Sequence, residues 1–181
     1  LFRTELCFLS AETEPSVEEQ ARIYREVLAA FPGKKVVIRT LDAGSDKPLK
    51  FANMEEEENP AMGVRGLRIA ADNPGLMTRQ LDAIKAASDG AATWVMAPMV
   101  ATVTEAKEFA ALCRERGLKP GIMVEVPAVA VRASQSLEHV EFMSIGTNDL
   151  TQYTMAADRM SPKLAKLTDP WQPAVIALDG M

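Results

Sequence analysis

Five short apolar runs, each breaking off into polar residues, set the limits on what this chain can fold into. They lie at Leu1–Leu6, Val36–Thr40, Ala92–Pro98, Gly121–Val126 and Glu141–Gly146. None alternates apolar and polar residues as a half-solvated strand would. They are nearly continuous, the pattern of parallel strands buried on both faces. Stretches with helical spacing and recognisable ends lie between them. Ser16 and Glu19 have capping-box spacing and open a helix expected to reach about Phe31, with Ala21, Ile23, Val27, Leu28 and Phe31 inward and Gly33 as the stop. Asn73-Pro74 reads as an N-cap followed by proline at the first helical position, with Leu76, Leu81 and Ile84 inside. Thr102 and Glu105 form a second capping box ahead of a helix closed by Gly117, and a shorter helix starts near Pro127.

Strand–helix alternation leaves an open doubly wound sheet or a closed (β/α)8 barrel. The polar residues favour the barrel. Arg3-Thr4-Glu5, Arg39-Thr40, Pro98, Glu125 and Asn148-Asp149 each end a strand, which is where barrel enzymes gather chemistry from several strands. The GxGxxG of a dinucleotide-binding open sheet is absent. A complete barrel takes roughly 250 residues, and this chain of 181 offers five βα units, six at most. The expected fold is therefore α/β, a TIM-type barrel that is incomplete, forming one domain over residues 1–181. Such a piece has two open strand edges for another segment or chain to cover.

A formal net charge of -5 argues against general binding to nucleic acid or anionic membranes, and no apolar run approaches a membrane span. There is no signal-peptide pattern, and Leu1 rather than Met opens the chain, which leaves room for an upstream segment. Cys7 and Cys113 lack CxxC spacing and a neighbouring His, as expected of reduced thiols in a cytoplasmic protein.

Glu125 and Asp149 end neighbouring strands, so in a barrel both carboxylates face one mouth. Two such groups repel unless one is protonated or a cation lies between them. With no His or Cys beside them the ligands are all oxygen, which suits Mg2+ or Mn2+; two solvated loop carboxylates fit the spacing as well. Arg3 and Arg39 each follow an apolar strand and precede Thr, and a buried guanidinium needs an anion. That anion is either internal, Glu5 for Arg3 or Asp42 for Arg39, or the phosphate or carboxylate of a ligand. Arg65 and Arg159 are further candidates, and arginines converging on a divalent cation describe a site for a small phosphorylated substrate.

The segments LFRTE, VVIRTLDAGSDK, EENPAMGVRGLRIA, GIMVEVPA and FMSIGTNDLTQYTMAADR stand in the order found in the phosphoenolpyruvate (PEP)-binding barrel of the PEP-utilising enzymes, which this chain resembles over nearly its whole length. DAGSDK after IRT and QYT after NDLT are more similar to the enzyme I members of bacterial phosphotransferase systems than to dikinases and PEP synthases. The resemblance implies that Arg3 and Arg39 hold the PEP phosphate. It implies that Glu125 and Asp149 ligate Mg2+, that Asn148 and Arg159 contact PEP, and that Arg65 and Lys47 face the site. It also implies phosphoryl transfer to a histidine on a separate swivelling domain, release of pyruvate, a histidine-containing phosphocarrier protein as partner in sugar uptake, and a cytoplasmic homodimer.

In that family a cysteine in a late barrel loop protonates the enolate. The only histidine here, His139, reads as a surface or helix-end residue, and neither cysteine suits that loop. The chain is thus expected to carry the PEP–Mg2+ grip without acceptor or proton donor, and without the first and last two barrel strands. The rival readings are a dikinase or PEP synthase, which would need an ATP-using domain, a Mg2+-dependent aldolase or lyase barrel, and a non-catalytic dimerisation or regulatory module. FRT and IRT argue against the aldolase. Glu55–Glu58 reads as a solvated loop face, Met96, Met99, Met123 and Trp94 as core, and Trp171 as packed on a neighbouring helix or subunit.

Overall fold

The structure, a computed structural model, describes residues 1–8, 11–44, 49, 51, 56–88 and 93–180. Strand β1 (Phe2–Arg3) leads into a helical turn, α1 (Glu5–Phe8), and a long helix, α2 (Val17–Ala29). Strand β2 (Val37–Arg39) is followed by α3 (Ile69–Asp72) and α4 (Pro74–Ala87), and β3 (Trp94–Ala97) by α5 (Val103–Arg114). Then come β4 (Lys119–Val124) with α6 (Pro127–Val131) and α7 (Ala133–Leu137), and β5 (Phe142–Ile145) with α8 (Thr147–Met155) and α9 (Pro173–Asp179).

The five strands form one parallel sheet in the order β1-β2-β3-β4-β5. Each crossover advances by one strand in the same direction, so the order never reverses and the crevice of a doubly wound sheet has no counterpart. With right-handed crossovers this progression keeps the helices on one face. Ile38, Val95, Ile122 and Val124 point to that face and pack with Leu81, Ile84 and Phe109 from α4 and α5. No helix of the described residues is long and apolar enough to cross a membrane.

Helix starts follow local chemistry. Ser16 Oγ accepts from the Glu19 N–H while Glu19 Oε2 accepts from the Ser16 N–H, and Thr102 with Glu105 repeats the arrangement. Asn73 Oδ1 accepts from the Leu76 N–H at the start of α4.

Strand β1 is shorter than the sequence suggests, because Thr4 and Glu5 turn inward: Thr4 Oγ1 donates to the Arg39 carbonyl and Glu5 is 3% exposed. Helix α2 ends at Ala29, leaving Phe31 54% exposed rather than in the core. Ala21 is buried as expected and Ile23 and Leu28 pack partly buried against the core, but the fully buried side also takes in Gln20 and Tyr24. Polar bonds explain this. Gln80 Nε2 donates to Thr4 Oγ1 and the Tyr24 hydroxyl at 3.0 and 3.1 Å, Tyr24 donates to Gln20 Oε1, and Gln80 Oε1 accepts from the Leu41 N–H at 3.0 Å. A reading that sought apolar residues passed over this network, which fixes the backbone on both sides of Arg39. Gln80→Ala is expected to cost about 2 kcal/mol in urea melts, since it strands a buried N–H and two hydroxyls.

Strand β4 starts at Lys119, earlier than anticipated, with the Pro120 carbonyl accepting from the Glu141 N–H. At this amino-terminal end of the sheet Trp94 is half-buried, edge-on to Phe142 at 5.2 Å. Lys35 Nζ and Lys119 Nζ lie 3.7 and 4.8 Å from its ring centroid. Trp171, expected to be packed, is 78% exposed.

Candidate functional site

At the opposite, carboxyl end of the sheet the polar strand ends meet. Arg39 follows β2, Glu125 follows β4, and Asp149 lies in the first turn of α8 beyond β5, on a helix rather than in the loop its neighbours suggested. Arg65 enters from the segment between β2 and α3, and Arg159 from the segment after α8.

Arg39 is 7% exposed, with Nη2 on Glu5 Oε1 at 2.6 Å and Asp42 Oδ2 at 3.2 Å and Nη1 3.7 Å from Met123 Sδ. Its Nε and Glu5 Oε2 are buried without a hydrogen-bond partner among the described residues. Arg65 donates from Nε and Nη2 to Asp42, at 3.3 Å and 3.0–3.1 Å, while its Nη1 reaches Asp149 Oδ1 at 3.0 Å. Arg159 Nη1 lies 3.2 Å from Asp149 Oδ2. Burial alone would weaken the proton on Arg65, but Asp42 and Asp149 outweigh it and raise its pKa.

The bite of Arg65 on Asp42 depends on Gly66. Its φ of +57° is a left-handed conformation, and a Cβ there would come within 3.0 Å of the Met99 side chain and 3.3 Å of Asp42 Oδ1. Met99 is itself left-handed, with φ 59°, and its N–H is held by Glu125 Oε1 at 2.7 Å.

Glu125 is 1% exposed. Its Oε2 lies against Gly146, where a Cβ would come within 2.8 Å, and makes no hydrogen bond among the described residues. Burial pushes the Glu125 carboxyl up to about 7; Asp42 and Asp149 add to this, while the Met99 N–H and Arg39 oppose it. Between its ordinary value of 4.5 and about 7, the native protein holds a proton that the unfolded chain has released. The contribution of Glu125 to stability is therefore complete below pH 4.5 and lost as pH rises to about 7. Metal-free protein is expected to lose about 3 kcal/mol across that window, a slope that Glu125→Gln flattens in denaturant titrations at several pH values.

The site thus joins Arg39, Arg65, Arg159, Glu125 and Asp149. It does not take in Arg3 or Asn148. Arg3 pairs in register with Arg39 and shares its face of the sheet, but it is exposed and makes no ion pair among the described residues. Asn148 is exposed too. Lys47 and Glu55 lie outside the described residues. Glu57 is no idle charge, since its carboxylate accepts the Val64 N–H at 2.9 Å. Met96, Met99 and Met123 are buried as expected.

Sequence reasoning missed Tyr153. Its hydroxyl donates to the Ala61 carbonyl, accepts from Arg65 Nη1 at 3.4 Å and lies 3.8 Å from Met99 Sδ. The available signal was its place four residues after Asp149, on the same helix face. A cleft of about 800 Å3 opens beside these groups, between residues 58–62 with Arg65 and residues 152–160. Cys7 is half-buried and Cys113 fully buried in α5, and burial raises both thiols, Cys113 to about 12. His139 is half-buried after α7. Among the described residues, no three acidic, His or Cys side chains form a ready-made metal site.

The PEP-binding domain of the PEP-utilising enzymes matches the chain over residues 1–180. A phosphoenolpyruvate-protein phosphotransferase of Streptomyces coelicolor is 52% identical over 183 aligned positions, which cover 98% of this chain and 33% of that protein. Proteins of the same name from Staphylococcus carnosus and Latilactobacillus sakei are 42% and 40% identical over 191 positions, with the same shares covered. The chain spans about a third of the length of the curated relatives it matches.

Proposed function

The chain belongs to the PEP-utilising enzymes, as their PEP-binding domain, and from that premise we propose that it is the substrate grip of a phosphoenolpyruvate-protein phosphotransferase. The observation that carries this reading is the set of three guanidiniums, Arg39, Arg65 and Arg159, each held by a carboxylate at the carboxyl end of one parallel sheet. Phosphate and carboxylate oxygens of PEP present the same planar, anionic acceptors, so the ligand exchanges for groups the arginines already bind. Arg3, in register with Arg39 and without an ion pair among the described residues, turns in to complete the phosphate contacts, and Asn148 adds an amide at the rim.

Glu125 and Asp149 fit a hard divalent cation such as Mg2+. Both are buried carboxylates, Glu125 Oε2 makes no hydrogen bond among the described residues, and burial together with the Asp42 and Asp149 charges raises the proton affinity of Glu125, the mark of a carboxylate that a cation would relieve. Bound there with water and substrate oxygens, the cation supplies charge neutralisation on the transferring phosphoryl group and the enolate. The arginines orient the phosphoryl group and stabilise the charge it develops, and the closed core beneath them excludes water. The acceptor is a histidine on another domain, and pyruvate is the second product.

The consecutive strand order supports a (β/α)8 barrel of which these five strands are a contiguous part. The same reading makes the protein a cytoplasmic homodimer that passes phosphate to a histidine-containing phosphocarrier protein in sugar uptake. PEP with Mg2+ at about 100 times its Kd is expected to add about 2.7 kcal/mol, raising Tm by about 5–10 °C. PEP without Mg2+ adds little, and Arg39→Ala abolishes the shift. A folded protein with no PEP-linked shift overturns the proposal.

A further inference from the structure

Two carboxylates in the cluster each hold two arginines: Asp149 grips Arg65 and Arg159, and Asp42 grips Arg39 and Arg65. Only Asp149 has a part in the reading above. Asp42 has none, yet it is 6% exposed and makes three hydrogen bonds to Arg65 and an ion pair to Arg39. A buried carboxylate with so many charged partners is a structural choice, because replacing such a cluster with apolar residues commonly costs nothing or even stabilises a fold.

The way Asp42 uses its partners is informative. It takes Nε and Nη2 of Arg65, the side edge of the fork, and leaves Nη1 directed at Asp149. From Arg39 it takes Nη2, which Glu5 shares, leaving Nη1 against a methionine sulfur and Nε without a hydrogen-bond partner among the described residues. The donors left over are those a ligand can use. Were Asp149 drawn to a cation, Arg159 would lose its carboxylate, and Arg65 would keep Asp42 as its carboxylate with the Tyr153 hydroxyl beside Nη1. The bare Gly66 backbone, with no Cβ to crowd Asp42 Oδ1, leaves room for that grip.

We propose, resting on the PEP-grip reading, that Asp42 is the positioning residue that fastens Arg39 and Arg65 into one rigid anion-binding unit. It stays in place when ligand and cation displace the other carboxylate contacts. Asp42 touches neither substrate nor cation and acts through the two guanidiniums, aiming Arg65 Nη1 and the free edge of Arg39 at the same ligand.

The test is a double-mutant cycle on PEP affinity, by titration calorimetry of the full-length protein at saturating Mg2+. Asp42→Asn keeps the shape and removes the charge, and is expected to weaken PEP roughly 10- to 100-fold. Arg65→Lys weakens it comparably. The double variant falls no more than about threefold below the worse single, because one residue works through the other, and Asp42→Glu recovers part of the loss. Unchanged affinity in Asp42→Asn, or losses that multiply in the double variant, overturn the inference. Wild-type protein that fails to bind PEP overturns the function reading first and this one with it. Nitrogen NMR of arginine-labelled wild-type protein needs no variant. Guanidinium rotation of Arg39 and Arg65 is expected to stay arrested with and without PEP, and free rotation of Arg65 in the bound state overturns the inference.

Discussion

Arg65→Ala is expected to remove about 3–5 kcal/mol of folding stability at neutral pH, a large share of the roughly 5–15 kcal/mol that holds a domain folded. The side chain is 7% exposed and, among the described residues, is the one cation shared by Asp42 and Asp149. Without it Asp42 is left with Arg39, which Glu5 also claims, and Asp149 with Arg159, which is 32% exposed. Arg65→Lys restores the charge but not the two-point grip, and falls between the two. Urea melts of the parent and both variants at pH 7.5 make the comparison, and a loss below about 1 kcal/mol in Arg65→Ala would mean that water already screens this cluster.

Glu125→Gln should separate binding from stability. The amide oxygen still accepts the Met99 N–H, so the left-handed turn at Met99 survives. The buried charge is gone, and the metal-free variant should be as stable as the parent or more so above pH 7. Its PEP affinity at saturating Mg2+ should nonetheless fall by at least about 100-fold, as one of two anionic ligands to the cation is lost. Calorimetry and thermal melts on the same sample make the comparison. A variant that binds PEP with Mg2+ as the parent does would remove Glu125 from the cation's shell. Opposite signs for stability and binding are the mark of a strained functional group.

The sequence shows what is local. Both capping boxes and the Asn73 cap lie within three residues along the chain, and each forms as spaced. The charged residues that close β2 and β4 could be recognised because nothing but a partner justifies Arg39 or Glu125 after a buried strand. Partners separated along the chain were harder to see. Arg39 chose Glu5 as well as Asp42, and Arg65 reached Asp149 across 84 positions. Gln20, Tyr24 and Gln80 were invisible because a polar residue enters a core only when its complement arrives from another element. Tyr24 needs Gln80, 56 positions away. Arg3 shows the converse: the sequence marks its place beside Arg39, yet on the edge strand it is exposed and makes no ion pair among the described residues.

The indole flanked by Lys35 and Lys119 stands at the amino end of β3, in register with Val37 and away from the carboxyl end where the arginines gather. Its fluorescence should therefore register the collapse of the whole fold and stay nearly silent when a ligand enters. The protein carries its own optical gauge of unfolding, blind to occupancy.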